Sequence, residues 1–263
     1  MTGTSYVARA LKRGRLTLNR YGYDIHPLDC RCWDDQRALL AGLEDVVIFD
    51  VGANRGQTAV RYRSLFPASE IHCFEPQAEL CEEIDHRFRG DSKVSAYSCA
   101  VGASDGSVNL YVNKKRDTSS LLKSDGEHLS PTYRSMLHNE ETRAVKVVTL
   151  DSFSRARALT HIHLLKMDIQ GGEYQALMGA RELLSTSAVD LIYSEVYFVP
   201  MYTDQPLMGD IAKHLAKYDY SLHLIYNVTV NGISGRPLWG DALFVSHGFQ
   251  ELSRERLKDT WTT

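Results

Sequence analysis

Long apolar runs and a disulfide framework are both missing from this sequence of 263 residues. None of its apolar runs approaches the roughly 18 residues that a membrane-spanning helix needs, and its opening does not have the pattern of a signal peptide. The five cysteines are an odd number, which suits a reducing compartment. We therefore expect a cytoplasmic protein without a membrane partner.

A strong net charge is missing as well. The 30 basic and 33 acidic residues leave a formal charge of −3, so the chain as a whole has little attraction for nucleic acid. Hydrophobic residues make up 43% and charged residues 24% of the sequence, which excludes wholesale disorder. A second cysteine pair at zinc-ligand spacing is also lacking beside Cys30 and Cys32, so a zinc site there is not expected.

Basic residues are nevertheless concentrated at the start of the chain. Residues 1–23 contain no Asp or Glu, and apolar positions there recur at helical spacing. The basic residues are Arg9, Lys12, Arg13, Arg15 and Arg20. This segment can form a solvated helix over the domain or a surface for an acidic partner. Because internal repeats and linkers are absent from the sequence, we expect a single domain, with residues 1–45 as a helical cap and residues 46–263 as its main part.

Strand and helix patterns alternate through most of the chain. Val46–Val51 is a nearly continuous apolar run, as expected of a parallel strand covered on both faces. The further predicted strands are Glu70–Phe74, Val94–Val101, Ile162–Asp168 and Val189–Glu195. The predicted helices are Asp34–Leu43, Gln57–Phe66, Gln77–Phe88, Tyr174–Leu184 and Asp210–Tyr218. A terminal pair of strands, Leu222–Val230 and Ala242–Val245, is joined by Asn231-Gly232, a hairpin dipeptide. The alternation predicts an α/β fold, with a mostly parallel sheet and helices on both faces.

Residues 102–150 interrupt this alternation. Ser107–Val112 alternates like an edge strand, and Val145–Leu150 returns as a strand. Asn113–Arg143, between them, is polar and weakly patterned. We expect an insert that is either an active-site lid or a variable surface excursion.

The sharpest motif is the DVGANRG stretch of residues 50–56, which follows the first strand and precedes a helix. Gly52 and Gly56 allow a tight turn and a close approach of backbone to a ligand, and open α/β sheets bind ligands at this edge. The Gly-x-x-x-Gly spacing differs from that of dinucleotide sites, and a Walker loop is excluded because Gly-Lys-Ser/Thr is missing. Asp50 suits an ammonium or sulfonium better than a pyrophosphate. The sequence therefore favours a cationic ligand, with a purely structural turn as the alternative.

A second acid, Glu75, ends the next predicted strand. A carboxylate has two acceptor oxygens and can bind both hydroxyls of a ribose. Alone, Glu75 would be an exposed acid at the end of a strand. Together with the preceding loop, it predicts a site for a positively charged nucleoside.

Four motifs in this order resemble those of the FkbM family of S-adenosylmethionine-dependent methyltransferases: DVGANRGQTA, IHCFEP, AVGASDG and LKMDIQGGEYQAL. The resemblance extends from about residue 46 to residue 245. It implies a Rossmann-like class I methyltransferase fold, whose seven-stranded, mostly parallel sheet has its last strand antiparallel. It also implies S-adenosyl-L-methionine as the cofactor and O-methylation of a small metabolite, such as a sugar or a polyketide, in natural product biosynthesis.

The resemblance also implies roles for individual residues. Those that would cradle the methionine part of the cofactor are Asp50, Gly52, Asn54 and Gly56. Those near the nucleoside are Glu75 and Pro76 at the ribose and Ala100 and Val101 at the adenine. Ser119 and Ser120 resemble a serine pair of the family that lies near the cofactor.

Two further carboxylates are the predicted catalytic residues. Asp168 ends the fourth predicted strand, which lies beside the first strand in this topology, so it faces the same cleft and can also contact the cofactor. The pKa of an alcohol lies far above 7, so a positioned base is expected. Asp168 is the first candidate for the base or substrate orienter, and Glu195 ends the neighbouring strand. A divalent metal could take part but is not expected, because Gln170 stands where the family often has Glu.

Other roles remain open for the residues around Asp168. Asp168 can instead anchor the Gly171-Gly172 turn, and Glu173 can stabilise the N-terminus of the next helix. Lys166 is unusual inside a central strand, and we expect it to pair with a neighbouring carboxylate.

Position decides which histidines and aromatic residues are candidates. His161 and His163 begin the fourth strand, at the wrong end of the sheet for this cleft, and His72 lies mid-strand. His128 and His138 lie in the insert and reach the cleft only if the insert folds over it. Aromatic residues after the fifth and sixth strands can form a substrate wall or pack into the core. They are Tyr193, Tyr197, Phe198, Tyr202, Tyr226 and Trp239.

The sequence thus predicts a methyltransferase that acts on a hydroxyl of a small-molecule substrate by direct in-line transfer. Methylation of an amine or carboxylate, including that of a peptide, is one alternative, and a catalytically silent nucleoside-binding protein is another. The glycine spacing disfavours a nicotinamide oxidoreductase. A homo-oligomer is compatible with the sequence.

Overall fold

The computed structural model describes residues 31–114, 118–124, 135, 137–232 and 234–253. The basic segment 1–23, Cys30 and His128 lie outside the described residues. The chain divides into two compact units, residues 1–38 and residues 39–263. Helix α1 (Arg31–Leu39) begins in the first unit, and all other elements below belong to the second.

A seven-stranded sheet forms the centre of the second unit. Its strand order is β3-β2-β1-β7-β8-β10-β9. The strands are β1 (Val47–Val51), β2 (Glu70–Phe74), β3 (Val94–Tyr97), β7 (Ile162–Met167), β8 (Val189–Tyr197), β9 (Tyr220–Val230) and β10 (Pro237–Ser246). Strands β1, β2, β3, β7 and β8 pair in parallel. Strand β10 is antiparallel to both of its neighbours. The predicted seven-stranded, mostly parallel sheet with an antiparallel last strand is confirmed.

Helices connect these strands and cover the sheet. They are α2 (Gln57–Leu65), α3 (Ala78–Arg87), α4 (Leu150–Ala156), α5 (Glu173–Met178), α6 (Arg181–Ser185) and α7 (Met208–Leu215). The central strands are nearly inaccessible to solvent: Phe49, Leu165 and Ile192 have no exposed surface. The apolar run that predicted β1 therefore reflects burial on both faces. None of the helices in the described residues is long and apolar enough to cross a membrane.

The predicted insert contributes two strands to a second sheet. This sheet has three strands in the order β4-β6-β5, namely β4 (Ala100–Val101), β5 (Gly106–Asn113) and β6 (Asn139–Val148). The polar start of β6 had been predicted as part of an irregular excursion. In the structure it is a strand, because residues 139–143 pair with β5. Their side chains stay largely exposed, so the sequence there lacks the hydrophobic alternation that would predict a strand.

Two predicted elements are each divided in two in the structure, and one helix was not predicted. The single strand Val94–Val101 is two strands in different sheets, separated by a turn in which the Cys99 N–H donates to the Tyr97 carbonyl at 2.8 Å. The single helix Tyr174–Leu184 is two helices, of which the first ends at Gly179, where an added Cβ would be 2.1 Å from the Gly102 carbonyl oxygen. Helix α4 was not predicted, although Thr149 caps it by accepting the Ser152 N–H.

Candidate active site

A cavity of about 310 Å³ lies where the carboxyl ends of β1, β2, β7 and β8 meet. Gly52 lines it after β1, Glu75 after β2, Asp168 after β7 and Glu195 near the end of β8. Parallel strands bring their carboxyl ends to the same edge of a sheet, and ligands of open α/β sheets bind there. The cavity is therefore the candidate active site.

Main-chain hydrogen bonds fix the part of the cavity next to β1 and β2. The N–H groups of Gly52 and Ala53 both donate to the Phe74 carbonyl at 3.0 Å. The Glu75 carboxylate accepts the Asn54 N–H at 3.0 Å and the Gln77 N–H at 2.9 Å, one on each oxygen. Each oxygen keeps a second acceptor position, so Glu75 can still accept the two hydroxyls of a ribose.

Burial shapes the charge of Glu75. Its exposed fraction is 5%, and burial raises its pKa although the two N–H donors oppose the rise. A buried carboxylate that lines a cavity is a strong hydrogen-bond acceptor for a ligand that excludes water.

Gly52 brings this region against the end of β7. Its φ is +78°, and an added Cβ would lie 1.9 Å from the main-chain oxygen of Asp168. Only glycine fits this close approach of two backbones. The glycine thus explains how the loop after β1 and Asp168 come to share one cavity.

Asp50 does not line this cavity. It has no exposed surface, and its carboxylate lies 2.9 Å from the Lys166 ammonium. Lys166 stands beside Asp50 in the β1–β7 register and also donates to the Gly52 carbonyl at 3.0 Å. Burial would lower the Lys166 pKa, but the charges of Asp50 and Asp168 outweigh it and raise the pKa. The predicted pairing of Lys166 with a carboxylate is thus present, and the Asp50 carboxylate lies outside the cavity lining.

The other predicted cofactor residues divide into two groups. Gly56 does not line the cavity: it packs against the side chains of Ile84 and Phe88 with φ +76°. The residues that do line it, besides Gly52 and Glu75, are Asn54, Pro76, Ala100, Val101, Ser119, Ser120 and Asp168. Nine of the predicted cofactor residues thus line one cavity. Asp50 is linked to the loop through Lys166, which pairs with it and donates to the Gly52 carbonyl.

Two carboxylates and an amide form the part of the cavity next to β7 and β8. The Gln170 side-chain N–H₂ donates to Asp168 Oδ1 and to Glu195 Oε2, both at 3.0 Å. The Tyr197 hydroxyl donates to the same Glu195 oxygen at 2.5 Å. An N–H donor, which cannot ligate a metal, therefore stands between the two carboxylates in this arrangement.

Glu195 and Glu173 are both perturbed by burial. Burial raises the pKa of Glu195 well above its ordinary value, and the charges of Asp168 and Glu173 add to the rise. Burial also raises the pKa of Glu173 to about 7. Its carboxylate accepts the Ile169 N–H at 2.8 Å. Glu173 thus accepts a main-chain N–H of the turn between β7 and α5, and Asp168 accepts the Gln170 side chain of the same turn.

The insert contributes a wall of the cavity. Thr118, Ser119, Ser120 and Leu121 all line it. The Ser120 hydroxyl donates to the Gln170 carbonyl at 2.6 Å, which fixes this stretch over the loop after β7. Of the two alternatives for the insert, the structure favours a segment that covers the site.

Sequence reasoning missed several lining residues. Gln170 appeared only as a departure from the family pattern, and Leu137 and Met201 were not considered. The aromatic candidates Tyr197 and Trp239 line the cavity, whereas Tyr193 and Tyr226 do not. Tyr197 shares a face of β8 with Glu195, since the two are two residues apart.

Histidines are absent from the described lining of the cavity. His72 is buried and lies 3.0 Å from the Tyr97 hydroxyl. His161, His163 and Asp190 cluster at the opposite edge of the sheet, where His161 pairs with Asp190 at 2.9 Å. His163 Nδ1 accepts the Val47 N–H at 3.0 Å.

Comparisons with protein families and known proteins give several matches. The family model described as Methyltransferase FkbM domain matches residues 50–222, more than half of the chain. The 2-O-methyltransferase NoeI of Sinorhizobium fredii (strain NBRC 101917 / NGR234) is 26% identical over 179 residues, which cover 65% of this chain and 70% of that protein. Methyltransferase 1 of Beauveria bassiana (strain ARSEF 2860) is 25% identical over 150 residues, which cover 52% of this chain and 59% of that protein.

Solved structures of methyltransferases are also similar. Magnesium protoporphyrin IX methyltransferase from Synechocystis PCC 6803, with bound SAM, has a TM-score of 0.45 at 10% identity, covering 82% of this chain and 78% of that chain. TrmK of M. capricolum, in complex with S-adenosyl-homocysteine, has a TM-score of 0.44 at 6% identity, covering 84% of this chain and 70% of that chain.

Proposed function

Because this chain belongs to the FkbM methyltransferase family, and is therefore an S-adenosylmethionine-dependent methyltransferase, we propose that it methylates a hydroxyl oxygen of a small molecule. The observation that carries the proposal is the pair of carboxylates, Asp168 and Glu195, in the same cavity as Glu75. Glu75 suits the nucleoside of the cofactor, and the pair suits removal of a proton. Methyl transfer to an alcohol requires both a bound cofactor and a group that takes the proton of the hydroxyl.

The β1–β2 region fits S-adenosylmethionine. Glu75 offers a buried carboxylate with free acceptor positions, and Gly52 leaves backbone where a side chain would otherwise stand. Residues that would hold the cofactor are Gly52, Asn54, Glu75, Pro76, Ala100, Val101 and Ser119. When bound, the cofactor supplies a methyl group on a positively charged sulfur. Asp50 acts indirectly in this proposal, since it holds Lys166 and Lys166 holds the Gly52 carbonyl.

The β7–β8 region supplies the proton acceptor. A neutral alcohol is a weak nucleophile, and removal of its proton as the new bond to carbon forms makes it a strong one. Asp168 is exposed to the cavity and accepts one N–H from Gln170, so its remaining acceptor positions can take that proton. Glu195 is more deeply placed and orients the acceptor together with Tyr197. The two carboxylates thus have different environments and different roles.

An apolar surface lies beside these carboxylates. Leu137, Tyr197, Met201 and Trp239 line the cavity and belong to one packed cluster. Such a surface binds the apolar face of a ring while the carboxylates take its hydroxyls. The name of the relative 2-O-methyltransferase NoeI supports oxygen as the atom that is methylated.

Product analysis tests the proposal. The protein is incubated with S-adenosylmethionine carrying an isotopically labelled methyl group and a panel of sugar, alicyclic and aromatic alcohols. We expect label on oxygen, and a rate at least about 100-fold lower for Asp168→Asn with unchanged binding of S-adenosylhomocysteine. Label on nitrogen or carboxylate, with Asp168→Asn near wild type, would contradict the proposal. Binding of the cofactor without any labelled product would instead favour a silent nucleoside-binding protein.

A further inference from the structure

Gln170 has a backbone conformation that glutamine rarely adopts. Its φ is +57°, in the left-handed region, and Gly171 follows with φ +95°. For a residue with a Cβ this conformation is energetically unfavourable. Glycine would meet the backbone requirement without that cost, so the glutamine side chain has a use that backbone geometry does not explain.

The Gln170 amide has its hydrogen-bonding groups occupied by defined partners. Its N–H₂ group donates to Asp168 and to Glu195, and its Oε1 accepts the Tyr202 hydroxyl at 2.9 Å. The Tyr202 side chain is almost inaccessible, with 1% exposed. A rotated amide would place its oxygen against two carboxylates, so the two acids select this orientation.

The partners of this amide come from separate parts of the fold. Asp168 follows β7, Glu195 belongs to β8, and Tyr202 lies in the loop after β8. The Gln170 main-chain carbonyl in addition accepts the Ser120 hydroxyl from the insert. Without the amide, no hydrogen bond in the described contacts would join Asp168 to Glu195.

We propose that Gln170 is a positioning residue that holds Asp168 and Glu195 at a fixed separation through a neutral, doubly donating amide. This inference rests on the proposed function, because it concerns the proton-accepting pair of that site. Two carboxylates in one cavity repel each other, and an N–H donor shared between them stabilises the ionised form of both. Replacement by glutamate would put a third negative charge where the donor now stands.

A test must separate the effect of the Gln170 amide on Glu195 from the effects of the ionisable groups around Glu195. They are Asp168 after β7, Glu173 in α5, Tyr197 in β8 and Asp241 in β10. A substitution at Gln170 changes none of these groups. A shift in the titration midpoint of Glu195 can therefore be attributed to the loss of the Gln170 amide. Ser120→Ala is the matched control, since it removes the contact of the Gln170 carbonyl and leaves the side-chain amide intact.

The experiment is a titration of the Glu195 side-chain carboxyl by ¹³C NMR in buffer containing EDTA, with the signal assigned by its absence in Glu195→Gln. We expect the midpoint to rise by at least about one pH unit in Gln170→Ala and further in Gln170→Glu. In Ser120→Ala it should move by less than about 0.3 units. Binding of S-adenosylhomocysteine, measured by calorimetry, verifies that each variant is folded. The readout uses no acceptor, so an acceptor that proves to be an amine would defeat the proposed function without altering this result.

Two outcomes overturn the inference. One is an unchanged midpoint in Gln170→Ala and Gln170→Glu variants that bind S-adenosylhomocysteine normally. If those variants do not fold, Gln170→Met provides the test, because it removes both N–H donors with little loss of volume. An unchanged midpoint in a folded Gln170→Met variant is the second.

Discussion

The two ends of the cavity are built in different ways. At the β1–β2 end, a short stretch of chain supplies both the loop and the Glu75 acid, and main-chain N–H groups hold them. At the β7–β8 end, side chains from distant segments hold one another: Asp168, Gln170, Glu195 and Tyr197. Local sequence therefore defines the first end, and tertiary structure defines the second.

This difference has a functional meaning in our proposal. The first end serves a ligand that would be the same for any methyl acceptor, and a rigid main-chain cradle suits it. The second end must match one acceptor, and side chains can be exchanged without refolding the loop. The two ends should thus respond differently to substitution.

The largest expected effect comes from Gly52→Ala. An added Cβ would lie 1.9 Å from the Asp168 oxygen, and the φ of +78° is strained for alanine. We expect a loss of at least about 4 kcal/mol in the free energy of unfolding, or no folded protein, measured by urea denaturation. Gly209→Ala is the control, because nothing lies within 4 Å of its added Cβ, and in helix α7 it should stabilise the protein by up to about 1 kcal/mol. An unaltered Gly52→Ala protein would show that the two backbones do not meet there.

Lys166→Met should have the next largest effect. It leaves Asp50 buried without its counter-charge, which typically costs about 3 kcal/mol or more of stability. The double variant Asp50→Leu/Lys166→Met removes both charges, and we expect it to recover at least half of that loss in urea denaturation. If Asp50 acts only through Lys166, the double variant should bind S-adenosylhomocysteine within about tenfold of wild type. A stable double variant that has lost all binding would indicate that Asp50 contacts the ligand directly.

A smaller effect concerns the pH dependence of stability at the β7–β8 end. The pKa of Glu173 is raised from its ordinary 4.5 to about 7 in the folded protein. The folded state then holds this proton more tightly than the unfolded state, so Glu173 lowers stability as pH rises from about 4.5 to about 7.

Glu173→Gln has no such titration. We expect its free energy of unfolding, relative to wild type, to increase by about 1–3 kcal/mol between pH 4 and pH 8. Urea denaturation of both proteins across this range measures the difference, with Glu182→Gln at an exposed position as the control. A difference that does not vary with pH would contradict the raised pKa.

Much of the fold could be predicted because it follows from local patterns. Apolar runs marked β1 and β2, and the motif after β1 marked the ligand edge of the sheet. The split between β3 and β4 could not be predicted, because the residues on both sides of the turn at Cys99 are equally apolar. The paired but exposed start of β6 leaves no hydrophobic signal either.

The candidate site was predictable at one end and not at the other. Gly52, Asn54 and Glu75 lie within one motif region, so their proximity follows from chain connectivity. The orientation of Asp50 depends on its neighbour in the sheet, Lys166, which is more than a hundred positions away in sequence. The position of the Gln170 amide between Asp168 and Glu195 depends on contacts between strands, so the sequence does not predict it. Contacts between strands decide these roles, and a linear pattern does not contain them.

The most direct test of the different functions of the two ends is a calorimetric comparison of two matched variants. Glu75→Gln and Glu195→Gln each replace one carboxylate of the cavity with an amide of the same size. We predict that S-adenosylhomocysteine binds Glu75→Gln at least about tenfold more weakly than wild type, because one acceptor oxygen is lost. It should bind Glu195→Gln within about threefold of wild type. Equal losses in both variants, or a loss only in Glu195→Gln, would contradict the account.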